Sequence, residues 1–454
     1  MKSFSSLLFV VVALAAAAVL PVGAAVPVTP DIPEKLDLKN AIGYALENNY
    51  SIRLAREQIK EQEGLTVQVR ALALPNVSLN SSYTQHDEAL NQPFTGSGGN
   101  TSPDYQTWGI ALQVTQALYA GGSISSALAS QRFSREAALL NLQAVINAAL
   151  LDVRTRFYDV LLAREQIKVQ EQNVGLLTEQ LRNVRNRFEA GAVSNFEVLQ
   201  AEVQLANAQP TLITARNAYR IAVDQLRQSL GYNNTTPGNL RKIPEFIGTL
   251  DYTPASYDFQ QALDTARASR PELLRLAKLR DASEAGVRVQ QAGYKPTVSL
   301  VGGYEVNKAN NSNRFNDSLN GWTVGVQSTW AIFDGRATAG KVAQARSQLA
   351  QANLTLGEQM LAVEVQVRTA LSSLQEADEL VQATLKTVGQ AEESLRLANA
   401  RFSAGTATQL DVLTSQVALT QARTNQLQAN YNYNVALATL RQAIGQADVY
   451  TQVN

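Results

Sequence analysis

The chain has 454 residues, 45% hydrophobic and 17% charged, and its 39 basic and 39 acidic side chains cancel. That balance argues against nucleic acid or an anionic surface as the main partner. With no cysteine and one histidine, His86, the sequence offers no disulfide framework, no lipid-modified N-terminal cysteine and no Cys/His metal cluster.

The first element is a targeting signal. Lys2 supplies a basic start, Leu7 to Leu20 is an unbroken run of 14 apolar residues, and Gly23-Ala24-Ala25 offers small residues for cleavage. Such a run is too short to span a bilayer comfortably, so residues 1–25 read as a secretory signal peptide, cleaved after Ala24 or Ala25. No second apolar run of spanning length is expected in the mature chain, hence no transmembrane helix.

From Leu36 to Ala73 the apolar residues fall at helical spacing, and Pro75 stops the run. The period then changes to two. Val77, Leu79 and Tyr83 alternate with polar residues, and Trp108, Ile110, Leu112 and Val114 do so after a loop rich in Gly, Asn and Ser. This predicts strands over 76–86 and 105–117, each near the length of a membrane-spanning β-strand. Tyr83 and Trp108 sit near the strand ends, as in an interfacial aromatic girdle. Gly96-Ser97-Gly98-Gly99 lies inside the hairpin loop, without the strand-to-helix setting that phosphate binding requires.

Ser123 to Glu189 contains no proline and one glycine, which predicts a helix of roughly 100 Å. Its apolar positions are sparse and often alanine, so a narrow packing seam is expected instead of a thick core. After Gly191 the chain turns into a return helix ending at Leu230, which Pro210 is expected to kink or interrupt. Residues 231–256, with Pro237, Pro244 and Pro254, are expected to pack alongside the helices.

Everything then recurs. Asp37, Ala41, Pro75, Leu79 and Tyr83 return as Asp258, Ala262, Pro296, Leu300 and Tyr304 at an offset of 221. Trp108, Gly121, Phe188, Gly191, Leu199 and Gly231 return as Trp322, Gly335, Phe402, Gly405, Leu413 and Gly445 at an offset of 214. The seven-residue difference falls between Tyr83 and Trp108, in a tolerant surface loop. The expected organisation is a first repeat over 36–231, a connecting segment over 232–256, a second repeat over 257–445 and a tail over 446–454. The second repeat predicts strands over 297–307 and 321–332, with Tyr304, Trp322 and Trp330 as girdle aromatics. Its long helix is expected from Arg336 to Ala404 and its return helix to Ile444.

The sharpest motif is the pair of turns Arg187-Phe188-Glu189-Ala190-Gly191 and Arg401-Phe402-Ser403-Ala404-Gly405, followed by Ser194…Glu197-Val198-Leu199 and Thr408…Asp411-Val412-Leu413. Gly191 and Gly405 suit a helix end that needs φ > 0. Ser194 with Glu197, and Thr408 with Asp411, have capping-box spacing. A signal peptide, a duplicated helix–hairpin–long-helix–return-helix unit and these two turns together resemble the TolC-like outer-membrane efflux proteins.

That resemblance implies a mainly α fold with a membrane β-barrel portion. Three protomers would each give four strands to a twelve-stranded barrel, and long antiparallel helices would form a tunnel across the periplasm. It implies a non-enzymatic export channel in the outer membrane of a Gram-negative bacterium, without cofactor or metal. The implied partners are two further copies of the chain, outer-membrane lipid, a periplasmic adaptor (membrane fusion) protein and an inner-membrane pump or ABC exporter. Phe188, Gly191, Phe402 and Gly405 would form the periplasmic tip where the adaptor docks, and Glu197 and Asp411 would lie near the constriction. The loops His86 to Asp104 and Lys308 to Asn320 would face the cell exterior. The best-known member carries a Tyr, an Arg and a second Asp around its second turn. Here those positions hold Phe402, Ala407 and Thr414, so that closing network cannot form. A periplasmic adaptor would also use long helical hairpins, and a coiled-coil envelope protein would explain the helices, but neither accounts for two spanning β-hairpins.

Overall fold

The computed structural model describes residues 34–87, 106–232, 244–309 and 315–446. The signal peptide, the Gly96–Gly99 run with most of the first outer loop, the centre of the second and the tail beyond residue 446 lie outside them.

The chain begins with β1 (Lys35–Leu36), α1 (Leu38–Asn48) and α2 (Tyr50–Ala71). The expected single helix is thus two, because Asn49 caps the second: its side-chain oxygen accepts from the Ser51 and Ile52 amides at 2.9 and 3.2 Å. Its Nδ2 donates to the Ser229 carbonyl at 2.6 Å. The hairpin β2 (Asn76–Gln85) and β3 (Gln106–Ala120) follows, then α3 (Ser123–Glu189) and α4 (Asn195–Leu230). The connecting segment contributes β4 (Glu245–Phe246). The same order then returns as α5 (Phe259–Ser269), α6 (Pro271–Gln291), a 3-10 turn at Ala292–Tyr294, β5 (Thr297–Lys308), β6 (Ser318–Thr329), α7 (Ala337–Ser403) and α8 (Gln409–Ala443).

Helices α3 and α7 each run 67 residues, about 100 Å at 1.5 Å per residue. Of two further expectations, an interruption at Pro210 does not occur, and a second apolar stretch does. Helix α4 passes through Pro210 without interruption; losing one amide donor does not break a helix that is held along its length by packing on α3. Helix α3 also contains an 18-residue window long and apolar enough to cross a membrane, so the sequence does hold a second such stretch. That window lies in a helix packed against α2, α4, α6 and α8.

The packing is thick in two places and thin elsewhere. Ile42, Phe157, Val160, Leu161, Val223, Leu226 and Phe246 join α1, α3, α4 and β4 in one cluster. Val363, Val367, Leu374, Tyr433 and Leu440 join α7 and α8 with α5 in the other. Toward the Gly191 and Gly405 turns only small clusters remain, such as Leu177, Ala208 and Leu413, in keeping with a narrow seam. The described part of the connecting segment packs on the helices: β4 pairs with β1, Arg164 donates to the Phe246 and Gly248 carbonyls at 2.5 and 2.8 Å, and the Tyr433 hydroxyl donates to the Thr253 carbonyl at 2.7 Å.

All four long strands form one antiparallel sheet in the order β2-β3-β5-β6. Pairing carries β3 three residues beyond its expected end, because β5 offers partners past a bulge at Ala117/Tyr119. Strand β6 stops at Thr329, short of the expected residue 332 and of Trp330, on an edge with no neighbour among the described residues.

Candidate functional site: the sheet faces and the helical turns

Register sorts the sheet into two faces. Val77, Leu79 and Tyr83 oppose Val114, Leu112 and Trp108; Leu300 and Tyr304 oppose Val326 and Trp322. Since alternate residues share a face, this face is apolar and solvent-exposed, with Leu79 62%, Trp322 76% and Val326 66% accessible. The other face carries Asn76, Ser78, Asn80 and Ser82, then Gln113, Thr115, Thr323 and Gln327, with Glu305 its one charged side chain among the described residues. An apolar outer face and a polar inner one are the pattern of a membrane barrel.

The aromatics fall at two heights. Tyr83, Trp108, Tyr304 and Trp322 occupy one end, where the Trp108 indole donates to the Phe315 carbonyl at 3.0 Å. Trp330 lies just past β6 at the other end and donates to the Tyr294 carbonyl at 3.1 Å. Eight residues separate Trp322 from Trp330, about 26 Å along the strand; at a barrel tilt of about 40° that spans about 20 Å of height, most of the roughly 25 Å apolar band of an outer-membrane barrel. His86 is exposed just beyond β2, and among the described residues no group of His, Cys, Asp and Glu is placed to hold a metal ion.

At the far end of the helices the two turns come together. Both long helices end in the same motif: the Gly191 and Ala192 amides donate to the Phe188 and Arg187 carbonyls, and those of Gly405 and Thr406 to the Phe402 and Arg401 carbonyls. The glycines sit at φ +73° and +75° with no heavy atom within 4 Å of a built Cβ. Backbone conformation is therefore their requirement. The Arg187 guanidinium lies over the Phe402 ring at 4.7 Å, a cation–π contact that joins the two turns. Phe188 is 43% exposed, and beside it Phe196, Leu199 and Leu410 are also exposed.

The two carboxylates differ. Thr408 and Asp411 form the full capping box: the Thr408 amide and hydroxyl each lie 2.8 Å from Asp411 Oδ2, and the Asp411 amide donates back to Thr408 Oγ1 at 3.3 Å. The bond from the Thr408 amide, then that from its hydroxyl, with the Arg401 charge nearby, hold the Asp411 carboxyl below its usual range. Asp411 is nonetheless exposed and lines an open groove of about 1010 Å³ with Arg401, Ala407 and Thr414. The expected box at Ser194 does not form; Ser194 makes no side-chain cap bond, and the Glu197 amide donates to the Ser194 carbonyl at 3.1 Å. Glu197 is half-buried in the first turn of α4, where the helix dipole alone favours it.

Several residues here escape sequence reasoning. Gln409 opens α8, is 3% exposed, and has neither side-chain polar atom bonded. Asn173 of α3 accepts from Gln416 and Thr420 of α8 at 3.3 Å each, and Arg423 bridges Gln172 and Glu392 at 3.2 and 2.9 Å. The bonds to Asn173 and Gln172 pair positions some 250 residues apart, for which a single sequence carries no signal.

The model of the family described as "Outer membrane efflux protein" matches residues 41–232 and again 262–446. The alkaline protease secretion protein AprF of Pseudomonas aeruginosa is 24% identical over 91% of this chain and 85% of its own length. The outer membrane protein TolC of Escherichia coli is 24% identical over 83% and 76%. Among solved structures, the CmeC outer membrane channel of Campylobacter jejuni superposes with a TM-score of 0.76 at 16% identity, covering 91% of this chain and 88% of that one. VceC of Vibrio cholerae gives 0.75 at 17% identity, over 90% and 96%. Two matched segments, each holding one hairpin and one turn, together cover most of the chain, which belongs to the outer membrane efflux protein family as an outer-membrane export channel.

Proposed function

We propose that three copies of this chain close a twelve-stranded barrel in the outer membrane and continue it as a helical tunnel through the periplasm, forming a passive conduit for cargo delivered from an inner-membrane pump. The observation that carries this reading is the four-stranded sheet with one apolar, aromatic-edged face and two edges, β2 and β6, unpaired among the described residues. In hydrocarbon each unsatisfied backbone group costs several kcal/mol, so such a sheet must close. Four strands cannot close around a lumen; twelve can. The internal repeat supports the reading, because each half supplies one hairpin and one helical turn to a nearly symmetrical tube. Mass measurement in detergent tests it: a trimer is expected, and a stable monomer overturns it.

The turns are the docking end in this reading. Phe188, Phe196, Leu199 and Leu410 are exposed apolar side chains around two rigid glycine turns, a composition suited to a partner helix. The partner is a periplasmic adaptor that brings an inner-membrane pump or ABC exporter. Asp411, and with it Glu197, would set carboxylates around the tunnel's narrow end, where a ring of like charge favours cations. A Gly405→Pro variant, whose ring cannot reach φ +75°, is expected to keep the trimer and lose export. Normal export would remove the turns from the mechanism.

A further inference from the structure

We propose that β6 of one copy pairs antiparallel with β2 of the next in one register, placing Val326 opposite Tyr83 and Gln327 opposite Ser82, with Ile332 as a single bulged residue. This rests on the trimeric reading above and adds the residues of the contact. Within the chain the two sequence offsets carry one hairpin ladder onto the other. Tyr83 opposite Trp108 becomes Tyr304 opposite Trp322, Asn76 opposite Thr115 becomes Thr297 opposite Thr329, and every pair between follows. The repeat is therefore an operation on strand registers as well as on sequence.

The contact between the repeats, β3 on β5, supplies the template. There Leu112 opposes Tyr304, Gln113 opposes Gly303, and a slip between Ala117 and Tyr119 leaves Leu118 unpaired before Tyr119 meets Val298. The same offsets turn β3 into β6 and β5 into β2 of a second copy. Val326 then faces Tyr83 and Gln327 faces Ser82, while beyond the bulge Phe333 faces Val77. Each pair joins like faces of the sheet, apolar to apolar and polar to polar, as register demands. Strand direction agrees, because β2 and β6 run oppositely in the all-antiparallel order.

An independent observation marks the same place. Ile332 and Phe333 are 86% and 85% exposed, more than any other large apolar side chain among the described residues. Their counterparts Leu118 and Tyr119 belong to β3, which continues to Ala120 because β5 pairs with it. Strand β6 ends at Thr329, where its pairing with β5 stops; the missing neighbour would continue the pairing to residues 331, 333 and 334. The occupant that fits is a second copy of this chain, since only β2 presents the ladder that β5 presents to β3.

The absence of cysteine makes the test clean. Successive opposed pairs alternate between closer and wider separation, so one lumenal pair, Ser82→Cys with Gln327→Cys, and one outward pair, Tyr83→Cys with Val326→Cys, cover both spacings. Within one chain β2 and β6 are about 14 Å apart across the sheet, so any disulfide joins two copies. After mild oxidation, a covalent trimer on heat-denatured non-reducing gels is expected from at least one of these pairs. Gln327→Cys combined with Asn80→Cys or Thr84→Cys should cross-link several-fold less. A shifted partner giving the higher yield overturns the register while leaving the trimer intact. A trimeric mass in detergent with no cross-link from any pair also overturns it. No cross-link together with a monomeric mass overturns the trimeric reading itself.

Discussion

Four glycines end the long and return helices at nearly one backbone conformation: Gly191, Gly231, Gly405 and Gly445 have φ of +73°, +73°, +75° and +71°. Alanine at any of them takes on the left-handed penalty, about 1–2 kcal/mol. At Gly191 and Gly405 that is the whole cost, because a Cβ meets no heavy atom within 4 Å. At Gly231 a Cβ would overlap the Asn48 carbonyl, and at Gly445 it would lie 2.5 Å from Ser269 Oγ and 3.2 Å from the Arg270 amide. Those are the junctions between α1 and α2 and between α5 and α6, where the chain bends around the return helix. Overpacking of that kind adds about 1–3 kcal/mol. Gly231→Ala should therefore cost about 2–5 kcal/mol in all and Gly445→Ala less, since a serine hydroxyl can rotate away. Thermal loss of far-UV helical signal in detergent, run at one scan rate for all four variants, reads the order. The expected ranking is Gly231→Ala least stable, Gly445→Ala next, and the two tip variants least affected. If Gly191→Ala were as damaging as Gly231→Ala, steric approach would not be what these positions encode.

Four other outcomes follow from the geometry. Asp411→Asn should reduce cation selectivity in planar bilayers with folding intact; unchanged selectivity would leave Asp411 with capping alone. The lowered pKa of Asp411 adds a sign: its carboxylate stabilises the fold above the usual Asp value of about 3.9 and ceases to as pH falls through the lower folded value. The thermal-midpoint gap between wild type and Asp411→Asn should accordingly be full at pH 7 and close in acid. Glu305, the one charge on the polar sheet face among the described residues, should add to cation preference, so Glu305→Gln shifts the reversal potential toward zero without changing strand assembly; no shift would place its carboxylate away from the lumen. Tyr431 donates to Asp159 at 2.6 Å, and burial first, then that bond, push its phenol up. It should stabilise the fold below the unfolded value of about 10 and lose that contribution as pH rises further, a dependence that Tyr431→Phe removes.

What the sequence disclosed was local in origin. Proline-free, alanine-rich stretches gave both 67-residue helices nearly to the residue, since nothing in 123–189 or 337–403 competes with helix. Period-two alternation gave the four strands, because one face had to be apolar. The errors lie where a distant partner decides. Asn49, which caps the second helix, also reaches Ser229, 180 residues away; β3 lengthens because β5 lies beside it; Pro210 is tolerated because α3 holds its helix. At the tip, spacing alone proposed two capping boxes, but only Thr408 turns its hydroxyl to the task. The Arg187–Phe402 contact, the buried Gln409 and the Asn173 bonds join two halves whose relative placement no local pattern encodes.

The differences between the halves bear on the trimer proposed above. Leu199 and Leu413 are equivalent in sequence, yet Leu199 is 51% exposed and Leu413 is 3% exposed. Asn195 is exposed and its counterpart Gln409 is buried. The cause is coverage: α3 of the first repeat lies along α8 of the second, through Leu177 against Leu413 and Asn173 beside Gln416 and Thr420. Nothing among the described residues lies correspondingly along α4. The operation that carries β3 onto β6 also carries α3 onto α7, so in the proposed trimer α7 of a neighbouring copy would lie along α4, with Thr387 brought toward Glu202 and Ala391 toward Leu199. In the proposed trimer the β2 edge at one end of the molecule and the bare Leu199 at the other would thus take the same neighbour, related by the same step. Six such steps, two per copy, would close both the barrel and the tunnel of the proposed trimer.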